Sequence, residues 1–196
     1  MDIDSCDDDA VAYSGRAEVR GSTVIELIHC LGPMLPVAEF DAPEALAARL
    51  ELIRGPGAKP GAFRGVTKPR VARGSGETGR SASATLYVPD SAPFFGDHFP
   101  RRPVFPATLL LDSQIGLALD LAREAKHFPA GRTPVPARMT HVKMRSFMPP
   151  GAMLEMDAEL SPTGPDTATI KLAARLDGRT AATARLEVVA KGSSQP

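Results

Sequence analysis

The stretch over residues 93–106 limits this chain more than any other. It reads Pro93-Phe94-Phe95-Gly96-Asp97-His98-Phe99-Pro100-Arg101-Arg102-Pro103-Val104-Phe105-Pro106. Four prolines fix φ, remove backbone donors and push each preceding residue out of the α region. The segment therefore reads as a stiff loop. Gly96 is open to backbone shapes closed to other residues, and His98 stands at the centre. Residues 107–126 follow, with Leu109, Leu110, Leu111, Ile115, Leu117, Ala118, Leu119, Leu121 and Ala122. This predicts a helix apolar almost all round, and such a helix is buried. Asp112 falls in its second turn. A buried carboxylate is costly unless it is paired or used. A stiff loop presenting His98 and a buried helix presenting Asp112 read together as a built site.

The residues Phe94-Phe95-Gly96-Asp97-His98-Phe99, then Pro103-Val104-Phe105-Pro106, then Leu111-Asp112 resemble the active-site signature of the β-hydroxyacyl-acyl-carrier-protein dehydratases. The interval from His98 to Asp112 is similar to the family's. Phe-Phe-Gly-x-His-Phe with Asp as the acid resembles the β-hydroxydecanoyl dehydratase/isomerase branch. Phe99-Pro100 after the histidine resembles the general dehydratase branch. The resemblance implies an α+β chain with a single hot-dog fold, a curved antiparallel sheet wrapped around one long helix. It covers about residues 81–191, with a faint echo over 22–40. On this reading, 1–20 is a loose acidic segment, 21–191 is the hot-dog domain with room for an insertion at 41–80, and 192–196 is a loose end.

The chemistry implied is loss of water from a 3-hydroxyacyl thioester on acyl carrier protein, in fatty-acid, lipid or polyketide synthesis. His98 suits the base that takes a C2 proton, since its ordinary pKa lies near neutrality. Asp112 suits the acid at the C3 oxygen, provided burial raises its pKa. Backbone N–H groups near Gly96, Ala107 and Thr108 suit the developing oxyanion. Phe95, Phe99, Phe105 and Leu110 are the expected acyl tunnel. Arg101, Arg102, Arg138, Lys143 and Arg145 are expected to meet the acidic carrier protein and its phosphopantetheine arm, for which arginine geometry is suited. The family shares its site across a dimer, which implies a homodimer or a heterodimer with a related chain. No cofactor or metal is implied beyond the substrate's own arm.

Three positions depart from the family pattern. Ala107 stands where glycine is usual, and its methyl group restricts the backbone at the oxyanion contact. Gly116 stands where a glutamine commonly follows the acid by one turn, while Gln114 lies on a different helix face. Ala152 replaces a residue that is often acidic. These changes suit a specialised dehydratase. They also suit a non-catalytic subunit that completes a heterodimer. A hot-dog thioesterase is a third reading, against which the His98-Phe99-Pro100 loop counts.

The rest of the chain sets bounds. At 196 residues it suits one domain with a real core. The formal net charge of zero argues against a dedicated nucleic-acid binder. No run is long enough to span a membrane and residues 1–10 lack an apolar segment, so a cytoplasmic protein is expected. Cys6 and Cys30 are isolated, with no metal-type spacing.

In chain order, Val24, Leu27, Ile28 and Leu31 predict a short helix over 22–31, with His29 as a surface residue. Residues 34–40 read as a strand. Asp41 reads as the N-cap of a helix to about Ile53, with Pro43 in its first turn. Residues 63–73 read as a strand interrupted by Pro69. Alternation predicts strands over 81–89, 138–148, 153–160, 167–176 and 180–190, with 127–136 as a loop. Asp177-Gly178 is a two-residue hairpin signal. His141 reads as a surface or dimer-edge group.

Overall fold

The computed structural model describes residues 1–59, 65–66 and 68–192, in two compact units, Met1–Ala58 and Lys59–Pro196. The expected strand start at Phe63 and the expected loose end at 193–196 lie outside the described residues.

The first unit is a three-stranded antiparallel meander followed by a helix. Its strands are β1 (Asp2–Cys6), β2 (Ala10–Val19) and β3 (Ser22–Pro33), in the order β1-β2-β3. Arg20 and Gly21, both at positive φ, close the β2–β3 hairpin, the backbone shape that a two-residue hairpin turn demands. Three expectations are corrected here. Residues 1–20 are not loose, because β1 and β2 pair, and Asp4 accepts a hydrogen bond from the Ser14 hydroxyl at 2.7 Å. Residues 22–31 form a strand rather than a helix. Val24, Ile25 and Ile28 are β-branched and suit a strand, and pairing such as Tyr13 with Cys30 outweighs the helical spacing. Val37–Glu39, expected as strand, is one turn of 3-10 helix.

Helix α1 (Pro43–Arg54) starts on its proline as expected, but Asp41 does not cap it from the N-cap position, which Ala42 holds. Asp41 Oδ1 instead accepts the Ala42 N–H at 2.8 Å, and its Oδ2 lies 3.1 Å from the Arg49 guanidinium.

The second unit is a six-stranded antiparallel sheet around one helix. Its strands are β4 (Arg70–Arg73), β5 (Ser81–Tyr87), β6 (Arg132–Met144), β7 (Met153–Gly164), β8 (Thr167–Leu176) and β9 (Arg179–Gly192), in the order β4-β5-β7-β8-β9-β6. Helix α2 (Ala107–Glu124) packs on β5 through β9. Alternation places Ala82, Ala84 and Leu86 of β5, Leu154, Met156 and Ala158 of β7, and Ile170, Leu172 and Ala174 of β8 in one core with Leu110, Leu117, Ala118 and Leu121. The many alanines leave room for a helix to lie close to the sheet. This is the hot-dog architecture.

Asp177 and Gly178, at φ 51° and 74°, turn β8 into β9 as expected. The expected loop at 127–136 is shorter, since β6 begins at Arg132. Pro134 and Pro136 lie within that strand, opposite Ala190 and Val188. They are tolerated because β6 is an edge strand, where a missing N–H breaks no second ladder. Among the described residues, no helix is long and apolar enough to cross a membrane.

Candidate active site

The site begins with the way the loop before α2 holds His98. A 3-10 turn at Pro93–Gly96 lets the His98 N–H donate to the Phe94 carbonyl at 2.8 Å. Residues 99–103, in which Pro100 and Pro103 have fixed φ and no N–H, then return the chain. Val104 donates its N–H to the His98 carbonyl at 2.9 Å, and the Val104 carbonyl lies 2.8 Å from His98 Nδ1. A carbonyl can only accept, so Nδ1 carries the proton, and in the neutral ring Nε2 keeps its lone pair. The imidazole also stacks on the Phe99 ring, centroids 4.5 Å apart. His98 is thus half-buried and held in one tautomer.

The loop is fastened to the core by its aromatic residues. Phe95 and Phe105 are buried, and the Phe105 N–H donates to the Met148 carbonyl at 2.7 Å. Phe94 meets both rings edge-on, at 4.6 and 6.2 Å. Of the expected tunnel residues, Phe95, Phe105 and Leu110 therefore sit in the packed core, and Phe99 lies half-buried against His98.

Asp112 corrects the sequence reading. It is exposed, with 65% of its side chain open to solvent in the single chain, and its Oδ2 lies 3.9 Å from Lys68 Nζ. Successive helix positions turn by about 100°. Leu110 and Gln114 face the sheet and are fully buried, so Asp112, two positions from each, faces the other way. An apolar helix need not bury every position, and Thr108, Asp112 and Gly116 mark its open side. A side chain placed at Gly116 would meet nothing within 4 Å.

Gln114 is the residue whose importance sequence reasoning understated. Its amide is fully buried, and neither Oε1 nor Nε2 has a hydrogen-bond partner. The signal was its spacing of four from Leu110 on the core-facing stripe.

Ala107 and Thr108 open α2, and their N–H groups belong to the first turn, which has no intrahelical acceptor. Gly96 is exposed in the 3-10 turn. Arg101, Arg102, Arg138, Lys143 and Arg145 are all exposed. Arg102 lies over the Phe147 ring at 5.1 Å. His141 is exposed on β6 at φ 53°, where the pairing with β9 shifts register, in keeping with a surface role. Lys68 was not foreseen, and its partner 44 positions along has no signal in local spacing.

Comparison with known proteins adds independent evidence. The ApeI-like family model, described as ApeI dehydratase, matches residues 75–184, more than half of the chain. A 3-hydroxyacyl-(acyl-carrier-protein) dehydratase FabZ of Caldicellulosiruptor bescii is 32% identical over 105 residues, covering 52% of this chain and 72% of the relative. The protein of that name from Ruminiclostridium cellulolyticum is 28% identical over 109 residues, 54% of this chain and 74% of the relative. Among solved structures, thioesterase HI1161 from Haemophilus influenzae aligns with TM-score 0.50 at 12% identity, covering 64% of this chain and 80% of that one. The smu.793 protein from Streptococcus mutans, bound to acetyl CoA, aligns with TM-score 0.50 at 14% identity, covering 70% and 100%. At such identities the structural likeness speaks for the fold alone.

Proposed function

This chain belongs to the ApeI-like dehydratase family of hot-dog proteins, and we propose that it removes water from a 3-hydroxyacyl thioester carried on acyl carrier protein, giving the trans-2-enoyl thioester. The observation that carries the reading is the bond between His98 Nδ1 and the Val104 carbonyl. It fixes the proton on one nitrogen and aims the basic one outward, as a general base requires.

In the proposed reaction, His98 Nε2 takes a proton from C2. The C2–H electron pair becomes the C2=C3 double bond, and the C3–O bond breaks. The oxygen leaves as water with a proton from the Asp112 carboxyl. First-turn N–H groups of α2, at Ala107 and Thr108, face the thioester oxygen while it carries charge. The reaction so written calls on no cofactor. The exposure of Asp112 supports a site completed by a second copy, in which His98 of one chain meets Asp112 of another. Closure by that copy would supply the burial that the single chain lacks. Arg101 and Arg102, on the His98 loop, would receive the carrier protein, with Arg138, Lys143 and Arg145 of β6 and its following turn as further contacts.

The test is to incubate the protein with a 3-hydroxyacyl-carrier-protein series and follow loss of one water by mass. His98→Ala should lower the rate by about 10²–10⁴, the usual worth of a positioned base, and Asp112→Asn should abolish most of the remainder. A wild-type protein inert across the series, or a His98→Ala variant with full activity, refutes the reading. Release of free acid without enoyl product would favour a thioesterase.

A further inference from the structure

We propose that the first unit is a docking surface for an apolar helix, and that its partner is a hot-dog polypeptide that lays such a helix on the uncharged face of the β2–β3 hairpin. The second unit contains the same kind of hairpin with its helix in place. The family match begins at residue 75, so it assigns the first unit no role.

The two hairpins agree in turn, register and order. Arg20-Gly21 and Asp177-Gly178 are both two-residue turns at positive φ, 51° and 77° in the first and 51° and 74° in the second. At the same distance from each turn the ladder skips one residue of the second strand. Ala17 faces Ile25 and Glu18 faces Thr23, as Ala174 faces Ala182 and Arg175 faces Thr180. A bulge re-aims the side chains beyond it, so hairpins with the bulge in the same place present matching faces. In both units a third strand pairs with the first strand of the hairpin, giving β1-β2-β3 and β7-β8-β9.

The faces differ in what covers them. Leu172, Ala174, Ala182 and Ala184 are buried in the core that α2 shares. Their counterparts are Gly15, Ala17, Ile25 and Leu27, which with Val11 and Tyr13 make a face without a charge. The opposite face carries Arg16, Glu18 and Glu26, with Arg16 Nε 3.2 Å from the Glu18 carboxylate. An antiparallel sheet so divided buries its uncharged side, and three strands need a second layer to do it. Yet among the described residues no apolar side chain of the first unit is buried, and Ile25 is 56% exposed where Ala182 is fully buried. Helix α1 buries none of its residues, so it is not that layer. A second copy has no such helix to give, since Leu110, Leu117 and Leu121 of α2 are already buried. The layer therefore comes from a partner whose apolar helix is free to dock.

The test uses the full chain and one probe, a synthetic peptide of residues 104–126, which carries the helix that the second unit itself uses. Hydrogen exchange read by mass spectrometry follows the amides of residues 10–33. With peptide at about 100 times its Kd, these amides should slow by about 100-fold, while those of residues 167–192 stay as they were. A peptide with Leu110→Asp and Leu117→Asp should protect nothing. In the chain, Leu27→Asp should abolish the protection, and Glu26→Gln, on the charged face, should keep it. If the peptide leaves residues 10–33 unchanged, or the substituted peptide protects them equally, or Leu27→Asp keeps the protection, the proposal falls. It also falls if the free chain protects residues 10–33 in a concentration-dependent way that Leu27→Asp removes, since the face then belongs to a second copy. Turnover is not read, so failure leaves the dehydratase reading standing.

Discussion

Replacing Gln114 with leucine should stabilise the protein. Gln114 faces the sheet from α2, fully buried beside Leu110, Leu117, Ala118 and Leu121. Neither polar atom of its amide has a partner. A buried polar group left unsatisfied costs about 1–3 kcal/mol, whereas an apolar group of the same shape costs little. Leucine is close to glutamine in volume, so no large cavity or clash opposes the gain. Counting the amide as one group, Gln114→Leu should gain about 2 kcal/mol, which for a chain of this size raises Tm by about 4–8 °C. Urea denaturation followed by far-UV circular dichroism is the suitable assay, since the chain has no tryptophan. The midpoint should rise with an unchanged slope. Turnover should change little, because Gln114 and Asp112 point to different sides of α2. A fall in the midpoint would refute the reasoning. It would mean that the amide is satisfied by a buried water or a bound group, whose loss leucine cannot make good.

Other outcomes follow from the same structure. Gly79 sits at φ 71°, and a methyl group there would lie 2.7 Å from the Ala125 Cα and 3.0 Å from the Glu124 carbonyl. Gly79→Ala should therefore cost about 1–3 kcal/mol, read as a lowered urea midpoint, and an unchanged midpoint would contradict this packing. The Ser14 hydroxyl, and after it the His29 side chain, hold the Asp4 carboxyl below its ordinary value of 3.8. A depressed carboxyl adds stability above its unfolded pKa and loses it as pH falls through the folded one. Ser14→Ala should raise the Asp4 pKa in an NMR carboxyl titration, and an unmoved titration would remove the serine from the account. Phe105 is fully buried and joins the His98 loop to the core. Phe105→Ala should cost about 3–5 kcal/mol and lower turnover together with stability. Full activity in a folded variant would show that the loop is held without it.

The parts of this protein that its sequence determined are those whose causes are local. The prolines around His98 dictate a stiff loop. The apolar run after Pro106 dictates α2, which ends at Glu124 rather than Lys126. Alternation dictates β5, β7, β8 and β9, and Asp177-Gly178 dictates the last hairpin. The family signature could be read for the same reason, since its residues lie in one loop and the first turns of one helix.

Tertiary structure decided the rest. Residues 22–33 carry a spacing that fits a helix, yet pairing with β2 makes them a strand, because hydrogen bonds to a neighbouring strand outweigh a weak local preference. Residues 1–19 look too acidic to order, but the Asp4 and Ser14 contact and the β1–β2 ladder recruit them. Asp112 and Gln114 stand two residues apart on one apolar helix, and composition cannot say which is buried. The side on which the sheet lies decides it, and it buries the amide and leaves the carboxylate open. Lys68 reaches Asp112 for a like reason. Contacts between residues distant in sequence depend on how the chain returns to itself, and only the folded chain specifies that.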